Sequence, residues 1–156
     1  MDRLWAPWRS KYIYLRKRKK CIFCGAKNAK NPRARYILER STHSFSMLNI
    51  YPYNNGHIMV APYRHLSSLE FLSDAELFDL IRLVNRTKAV IDQKMKPHGY
   101  NIGWNLGKIG GAGYPGHVHV HIVPRWTGDT NFMPIVANTK IVSESLDVLY
   151  NILKKK

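Results

Sequence analysis

The chain has little acid, little sulfur and no long apolar run. Ten Asp and Glu stand against 25 Lys and Arg, for a formal charge of +15 over 156 residues. Such a basic excess attracts polyanions at long range, which makes nucleotides and nucleic acids the fitting partners. Much of it sits in Arg16, Lys17, Arg18, Lys19 and Lys20 and in Lys154, Lys155 and Lys156, positions that serve equally well as solvated ends. No stretch approaches the roughly 20 apolar residues of a membrane span, and Met1 to Lys20 lacks the apolar centre of a secretory signal. The expectation is a cytoplasmic protein with no membrane partner. Repeats, low-complexity tracts and long linkers are also missing. The length suits one compact domain over residues 1–156, with 1–20 as an N-terminal arm and 154–156 as a basic tail.

The two cysteines, Cys21 and Cys24, form a Cys-x-x-Cys pair. In a cytosolic chain this spacing suggests metal or redox chemistry more than a disulfide. No strand-helix-strand pattern surrounds it, which weakens the thioredoxin reading, and two reduced, buried thiols are the plain alternative.

What the chain does have is apolar and aromatic material: 45% hydrophobic residues, with 9 Tyr, 5 Phe and 4 Trp, enough for a core. The opening Leu4 to Arg9 is aromatic and broken by Pro7, which suits a segment packed on a body or a partner. Tyr36 to Leu38, Ser44 to Leu48 and His57 to Ala61 read as three strands of an antiparallel meander. Asn54-Asn55-Gly56 supplies turn residues before the third. Ser73-Asp74-Ala75-Glu76 matches a capping box, and Leu77, Leu80, Ile81, Val84, Lys88 and Ile91 follow at helical spacing until Pro97. Asn101 to Trp104 and His117 to Val123 read as two more strands joined by a glycine-rich loop. After Ser143, a short amphipathic helix carrying Leu146, Leu149, Tyr150 and Leu153 closes the chain. The fold class is therefore α+β, a mainly antiparallel sheet of about five strands with one long and one C-terminal helix.

The most informative stretch is Gly116-His117-Val118-His119-Val120-His121-Ile122-Val123-Pro124. Along a strand, the period of two puts His117, His119 and His121 on one face and Val118, Val120 and Ile122 on the other. Three imidazoles in a row can bind a metal, act on a substrate, or simply form a polar strand face. The strict alternation after a glycine-rich loop favours function. Small residues at Gly110, Gly111, Ala112 and Gly113 allow main-chain amides to approach phosphates closely, although the loop could equally be a plain connection.

The pattern His-apolar-His-apolar-His-apolar-apolar resembles the signature of the histidine-triad (HIT) family of nucleotide hydrolases and transferases. Gly56 to Pro62 is similar to that family's earlier Gly-His strand. Resemblance to its bacterial diadenosine tetraphosphate phosphorylase and hydrolase members extends over Leu4 to Arg9, Cys21 to Cys24, Asn49 to His65, Asn105 to Gly107 and Pro124 to Phe132. It implies a HIT-like fold and a homodimer, for which Leu4 to Trp8 would offer apolar contact area. It also implies a reaction in which His119 attacks the α-phosphorus of a nucleotide. His121 and His57 would contact phosphate oxygens and assist the leaving group. Asn49 would meet the ribose hydroxyls and Asn105 would lie near the phosphate, although Asn is also an ordinary turn residue. The same resemblance completes a zinc site for Cys21 and Cys24 with His65 and His117, with His43 as a substitute ligand.

The favoured function is cleavage of a dinucleoside polyphosphate, diadenosine tetraphosphate above all, with water or inorganic phosphate as acceptor. The resemblance over Pro124 to Phe132 leans toward the phosphorylase, and so toward phosphate. Hydrolysis of nucleoside phosphoramidates or adenylylated amines would use the same nucleophile. A non-catalytic nucleotide or nucleic-acid binder is the third reading, and it predicts binding that weakens steeply with salt and survives loss of His119.

Overall fold

A computed structural model describes residues 21–131, 136 and 142–154. The aromatic opening, the basic run from Arg16 to Lys20, Phe132 and the last two lysines lie outside the described residues. Among the described residues, three α-helices, α1 (Ile22–Lys27), α2 (Asp74–Met95) and α3 (Leu146–Lys154), accompany five strands: β1 (Ile37–Arg40), β2 (Ser44–Leu48), β3 (Ile58–Pro62), β4 (Gly99–Trp104) and β5 (Val120–Arg125). The sheet runs β1-β2-β3-β5-β4 with every neighbouring pair antiparallel. This is the expected α+β architecture. Its first three strands form the expected meander, and β5 inserts between β3 and β4.

Strands β2 and β3 are buried along their whole lengths because both faces of the sheet are covered. On one face Leu48, Ile58, Val60, Val120 and Ile122 pack against Leu80, Leu83, Val84 and Ile91 of α2 and Leu149 and Leu153 of α3. On the other, Phe45, Met47, Met59 and Ala61 pack around Phe23 and Ala26 of α1. The period of two in β3 and β5 thus sends alternate residues into an apolar core and into the site. Among the described residues no helix is long and apolar enough to cross a membrane.

Helix α2 starts where its capping box predicts, with the Ser73 hydroxyl accepting from the Glu76 amide and the Glu76 carboxylate accepting from the Ser73 amide. It ends at Lys96, which adopts a left-handed conformation just before Pro97. The buried stripe, however, is Leu80, Leu83, Val84, Thr87 and Ile91, while Leu77 and Ile81 are exposed. The buried face is therefore turned toward Leu83 and Thr87 from the face expected from its apolar spacing. Asp79 helps to fix this rotation, because its carboxylate accepts from the Ser41 and Ser44 hydroxyls (2.5 and 2.6 Å) and the His43 amide (3.0 Å).

Two departures bear on the site. The ladder of β5 begins at Val120, so His117 and His119 precede it instead of lying within a strand from His117 to Val123. The Val118 amide donates to the Leu66 carbonyl (2.6 Å), which anchors that approach segment outside the sheet. The second departure is α1, a six-residue helix opened by Cys21, whose Sγ accepts from the Cys24 amide (3.5 Å).

Candidate active site and metal-ligand cluster

The alternation of histidines survives the shortened strand. His117, His119 and His121 are all buried and follow one another along the face opposite Val120 and Ile122. His57, immediately before β3, joins them because Met59 pairs with His121 and lies two residues, one full period, further along the same face. Gly56 makes the turn into β3 with φ +70°, a backbone conformation that favours glycine.

Hydrogen bonds assign the tautomers. The Tyr53 amide donates to His57 Nδ1 (3.0 Å), and Asn49 Nδ2 approaches the same nitrogen (3.3 Å). His57 Nδ1 is therefore an acceptor, and the ring proton sits on Nε2. That Nε2 donates to His121 Nδ1 at 2.9 Å, which puts the proton of His121 on its own Nε2. The nearest partner of His121 Nε2 is Asn105 Nδ2 at 3.5 Å, itself a donor group. His121 therefore offers an N–H whose natural acceptor would be an oxygen of a bound molecule.

His119 is set the opposite way. Its Nδ1 donates to the His117 carbonyl (2.8 Å), which leaves the Nε2 lone pair unprotonated. Phe23 of α1 lies against both rings, with centroids 4.6 Å from His119 and 5.0 Å from His117, while the His121 ring stands 4.7 Å from that of His119.

Burial disfavours the charged imidazolium throughout this row. It lowers His57 to about 3 and His121 to about 4, with the neighbouring imidazoles adding to the effect. His119 is lowered as well, against the opposing influence of the His117 carbonyl. All three rings are neutral near pH 7, so His119 presents a nucleophilic nitrogen without a separate base.

The other predicted positions fall around this row. Asn49 is buried, with Nδ2 at His57 and Oδ1 accepting from the Tyr51 amide (2.9 Å). One amide hydrogen and one oxygen lone pair are left for other partners. Asn105 Nδ2 donates to the Gly111 carbonyl and the Tyr53 hydroxyl, both at 3.4 Å, and so ties the glycine-rich loop to the histidines. In that loop the amides of Gly111 and Ala112 donate to the carbonyls of Lys108 and Gly107 (3.1 Å each), so these two N–H groups support the turn itself. The amides of Gly110 and Gly113 have no main-chain acceptor among the described residues. A Cβ on Gly110 would stand 2.2 Å from the Leu106 carbonyl oxygen, so the turn excludes any side chain there.

The resembling segment after β5 proves to be a brace. Asp129 accepts from Arg125 Nε (2.6 Å), Arg125 Nη2 (3.0 Å), the Trp126 amide (3.1 Å) and Asn54 Nδ2 (2.7 Å), and Asn54 Nδ2 also donates to the Pro124 carbonyl (2.9 Å). The Arg125 guanidinium holds the Asp129 carboxyl well below the usual range. The end of β5 is thereby fastened to the loop that carries Tyr53 and leads to His57.

A second cluster adjoins the histidine row. Cys21, Cys24, His65 and His117 present one ligand atom each, all within 4.8 Å of one another. His117 Nδ1 lies 3.3 Å from Cys21 Sγ, 3.8 Å from Cys24 Sγ and 3.3 Å from His65 Nδ1, and Cys24 Sγ lies 3.4 Å from His65 Nδ1. A tetrahedral zinc with Zn–S of about 2.3 Å and Zn–N of about 2.0 Å requires N···N edges of about 3.3 Å and S···N edges of about 3.5 Å. The donor set and its spacing fit that cage. His117 Nε2 donates to the Pro62 carbonyl (2.9 Å), which orients Nδ1 toward the sulfurs. His43 is not in this group; its amide is bonded to Asp79.

Two residues absent from the sequence reading emerge here. Phe23, fully buried, is the floor under His117 and His119. Tyr53 lies over His57 and His121. Phe23 follows the first cysteine by two positions and Tyr53 precedes the Gly-His pair by three, but neither carries a local signal of its destination.

Comparison with known proteins agrees with this geometry. The HIT domain description matches residues 31–128. The AP-4-A phosphorylase of Mycobacterium tuberculosis (strain CDC 1551 / Oshkosh) is 36% identical over 154 residues, covering 94% of this chain and 79% of that protein. A hypothetical histidine triad nucleotide-binding protein from Sulfolobus tokodaii strain7 superposes with a TM-score of 0.68 at 26% identity, covering 86% of this chain and 89% of the other. A Zn-bound histidine triad family protein from Mycobacterium smegmatis shares the fold, with a TM-score of 0.69 at 21% identity over 86% of this chain and 91% of its own. This chain belongs to the HIT domain family.

Proposed function

We propose that the protein cleaves dinucleoside polyphosphates, with diadenosine tetraphosphate as the substrate, by transferring a nucleotidyl group through His119 to inorganic phosphate. The observation that carries the reading is the opposed protonation of two adjacent rings. His119 exposes a lone pair at Nε2, and His121 exposes a proton at Nε2. The centroids of these rings are 4.7 Å apart, so one phosphate group can meet both.

The reaction divides into two displacements. His119 Nε2 attacks the α-phosphorus, and the bond from that phosphorus to the bridging oxygen breaks. ATP departs, and AMP remains on the imidazole. The ring then carries positive charge, and its Nδ1–H bond to the His117 carbonyl becomes charge-assisted and stronger. His121 Nε2–H donates to the leaving oxygen, with His57 Nε2–H behind it to supply polarisation. Asn105 and the Gly110 and Gly113 amides are the donors for phosphate oxygens, and Asn49 is assigned to the ribose. In the second step a phosphate oxygen attacks the same phosphorus, the phosphorus–nitrogen bond breaks, and ADP is released. Water in that place would give AMP. The relative named AP-4-A phosphorylase supports phosphate as acceptor.

Zinc is assigned to Cys21, Cys24, His65 and His117 as a structural ion. Held there, it would fix the chain two residues before the nucleophile and supply no chemistry to the substrate. A homodimer is assigned from the family resemblance and from the exposed edge of β4, where Ile102 is 44% accessible; sedimentation as a monomer at micromolar concentration would remove it.

Chromatography of products from diadenosine tetraphosphate, with and without phosphate, tests the reading. ADP plus ATP, formed only with phosphate, is expected. AMP plus ATP in both conditions would replace phosphate by water as acceptor, and two ADP would contradict attack at the α-phosphorus.

A further inference from the structure

Tyr53 lies in the loop ahead of β3, touches the paired imidazoles through its amide and its ring, and reaches Asn105 through its hydroxyl. Its amide donates to His57 Nδ1 at 3.0 Å. Its ring lies over both histidines, with centroids 4.5 Å from His57 and 5.3 Å from His121, the second at an interplanar angle of 24°. Its hydroxyl accepts from Asn105 Nδ2 at 3.4 Å, and that amide stands 3.5 Å from His121 Nε2. One residue thus links His57 at the entry to β3, His121 on β5 and, through Asn105, the glycine-rich loop.

Packing alone does not account for this placement. Tyr53 belongs to neither apolar cluster, and 48% of it is exposed, so one face covers the imidazoles while the other meets solvent. The bond it covers, His57 Nε2 to His121 Nδ1, joins two neutral rings, and water reaching either nitrogen would compete for it. The titratable groups that act on this pair are imidazoles, His121 and His119 on His57 and His119 on His121, and the Tyr53 phenol is the ionisable group packed over it.

We propose that Tyr53 is a positioning residue, whose ring keeps water from the His57–His121 hydrogen bond and whose hydroxyl holds Asn105 beside the proton that His121 presents to substrate. The hydroxyl's part rests on the reaction proposed above; the ring's part does not. The two parts separate by substitution. Tyr53→Phe keeps the cover and releases Asn105, whereas Tyr53→Ala removes both.

The test combines imidazole titration by nuclear magnetic resonance with steady-state kinetics and thermal melting. In Tyr53→Ala, the His57 and His121 resonances should titrate at least about one pH unit higher than in the wild type, since water restores the charged form toward the ordinary value near 6.5. The acid limb of the kcat profile should move up with them, while Tm changes by only a few degrees. In Tyr53→Phe, titration should stay as in the wild type, and kcat should fall about three- to tenfold with KM nearly unchanged, the loss of one modest hydrogen bond. Unchanged titration in Tyr53→Ala would overturn the cover, and unchanged kcat in Tyr53→Phe would overturn the anchor. Titration needs no substrate, so a wild-type protein inert to diadenosine tetraphosphate would defeat the proposed reaction and still leave the cover to be judged.

Discussion

Acidification should destabilise the fold through the His57–His121 pair, by an amount that follows from its burial. The folded protein holds these rings neutral, at about 3 and about 4, whereas in an unfolded chain each titrates near 6.5. Between about pH 6.5 and 4 the unfolded state therefore binds more protons, and stability falls as pH falls. Above 6.5 the pair costs nothing in this respect, and below the folded values the loss levels off. Because pH 5 lies about 1.5 units below the unfolded value while the folded rings stay largely neutral, each ring costs about 2 kcal/mol there and the pair about 4 kcal/mol. The limiting slope is about 2.7 kcal/mol per pH unit for two protons. Urea unfolding at pH 7, 6 and 5 measures it, with the His57→Gln/His121→Gln double variant as reference. All other side chains are common to both proteins, so the difference in slope isolates the pair. Equal pH dependence in the two proteins would refute the reasoning, because it would mean that the pair takes up protons while folded.

Other outcomes follow from the same geometry. His119→Ala should abolish turnover while nucleotide affinity by calorimetry stays within about tenfold, since a nucleophile contributes chiefly in the transition state. Near-normal affinity together with a steep salt dependence and no turnover even in the wild type would favour a binding protein. Replacing His121 or His57 should slow turnover less, by about 100- to 1000-fold for the loss of one donor to developing charge. Chelation of metal should release about one zinc per chain by elemental analysis and lower Tm by about 10 °C or more, given about 2–4 °C per kcal/mol at this chain length; a metal-free protein with full stability and activity would leave Cys21 and Cys24 as ordinary thiols. Phe23→Ala should cost about 3–5 kcal/mol in urea unfolding, because it opens a cavity beneath His117 and His119.

The parts of the site that were legible in the sequence are those encoded by short periods. Alternation in His117 to Ile122 specifies two faces whether or not the whole stretch is in the ladder, so the row of imidazoles survived the later start of β5. The Ser73 capping box located the start of α2 because its two hydrogen bonds are local. Its inward face was displaced because Leu77 and Ile81 are as apolar as Leu83, and Thr87 looks polar although it is buried; the bonds from Asp79 to Ser41 and Ser44 decide the matter from another part of the chain. Helix α1 is six residues long, too short to show a helical period, and with it Phe23 stayed hidden. Tyr53 owes its role to rings that approach from β5 and from the start of β3, a tertiary fact with no local signature.

The central claim is that a nucleotidyl group passes through His119, and direct capture of that intermediate tests it. Labelled diadenosine tetraphosphate, mixed with enzyme in the absence of phosphate and quenched in alkali, should leave one adenylate on the peptide containing His119. The bond should persist in alkali, break in acid, and yield labelled ADP when phosphate is added before the quench. Label on a different residue, or product formation with the adduct never detectable and His119→Ala still active, would contradict the account.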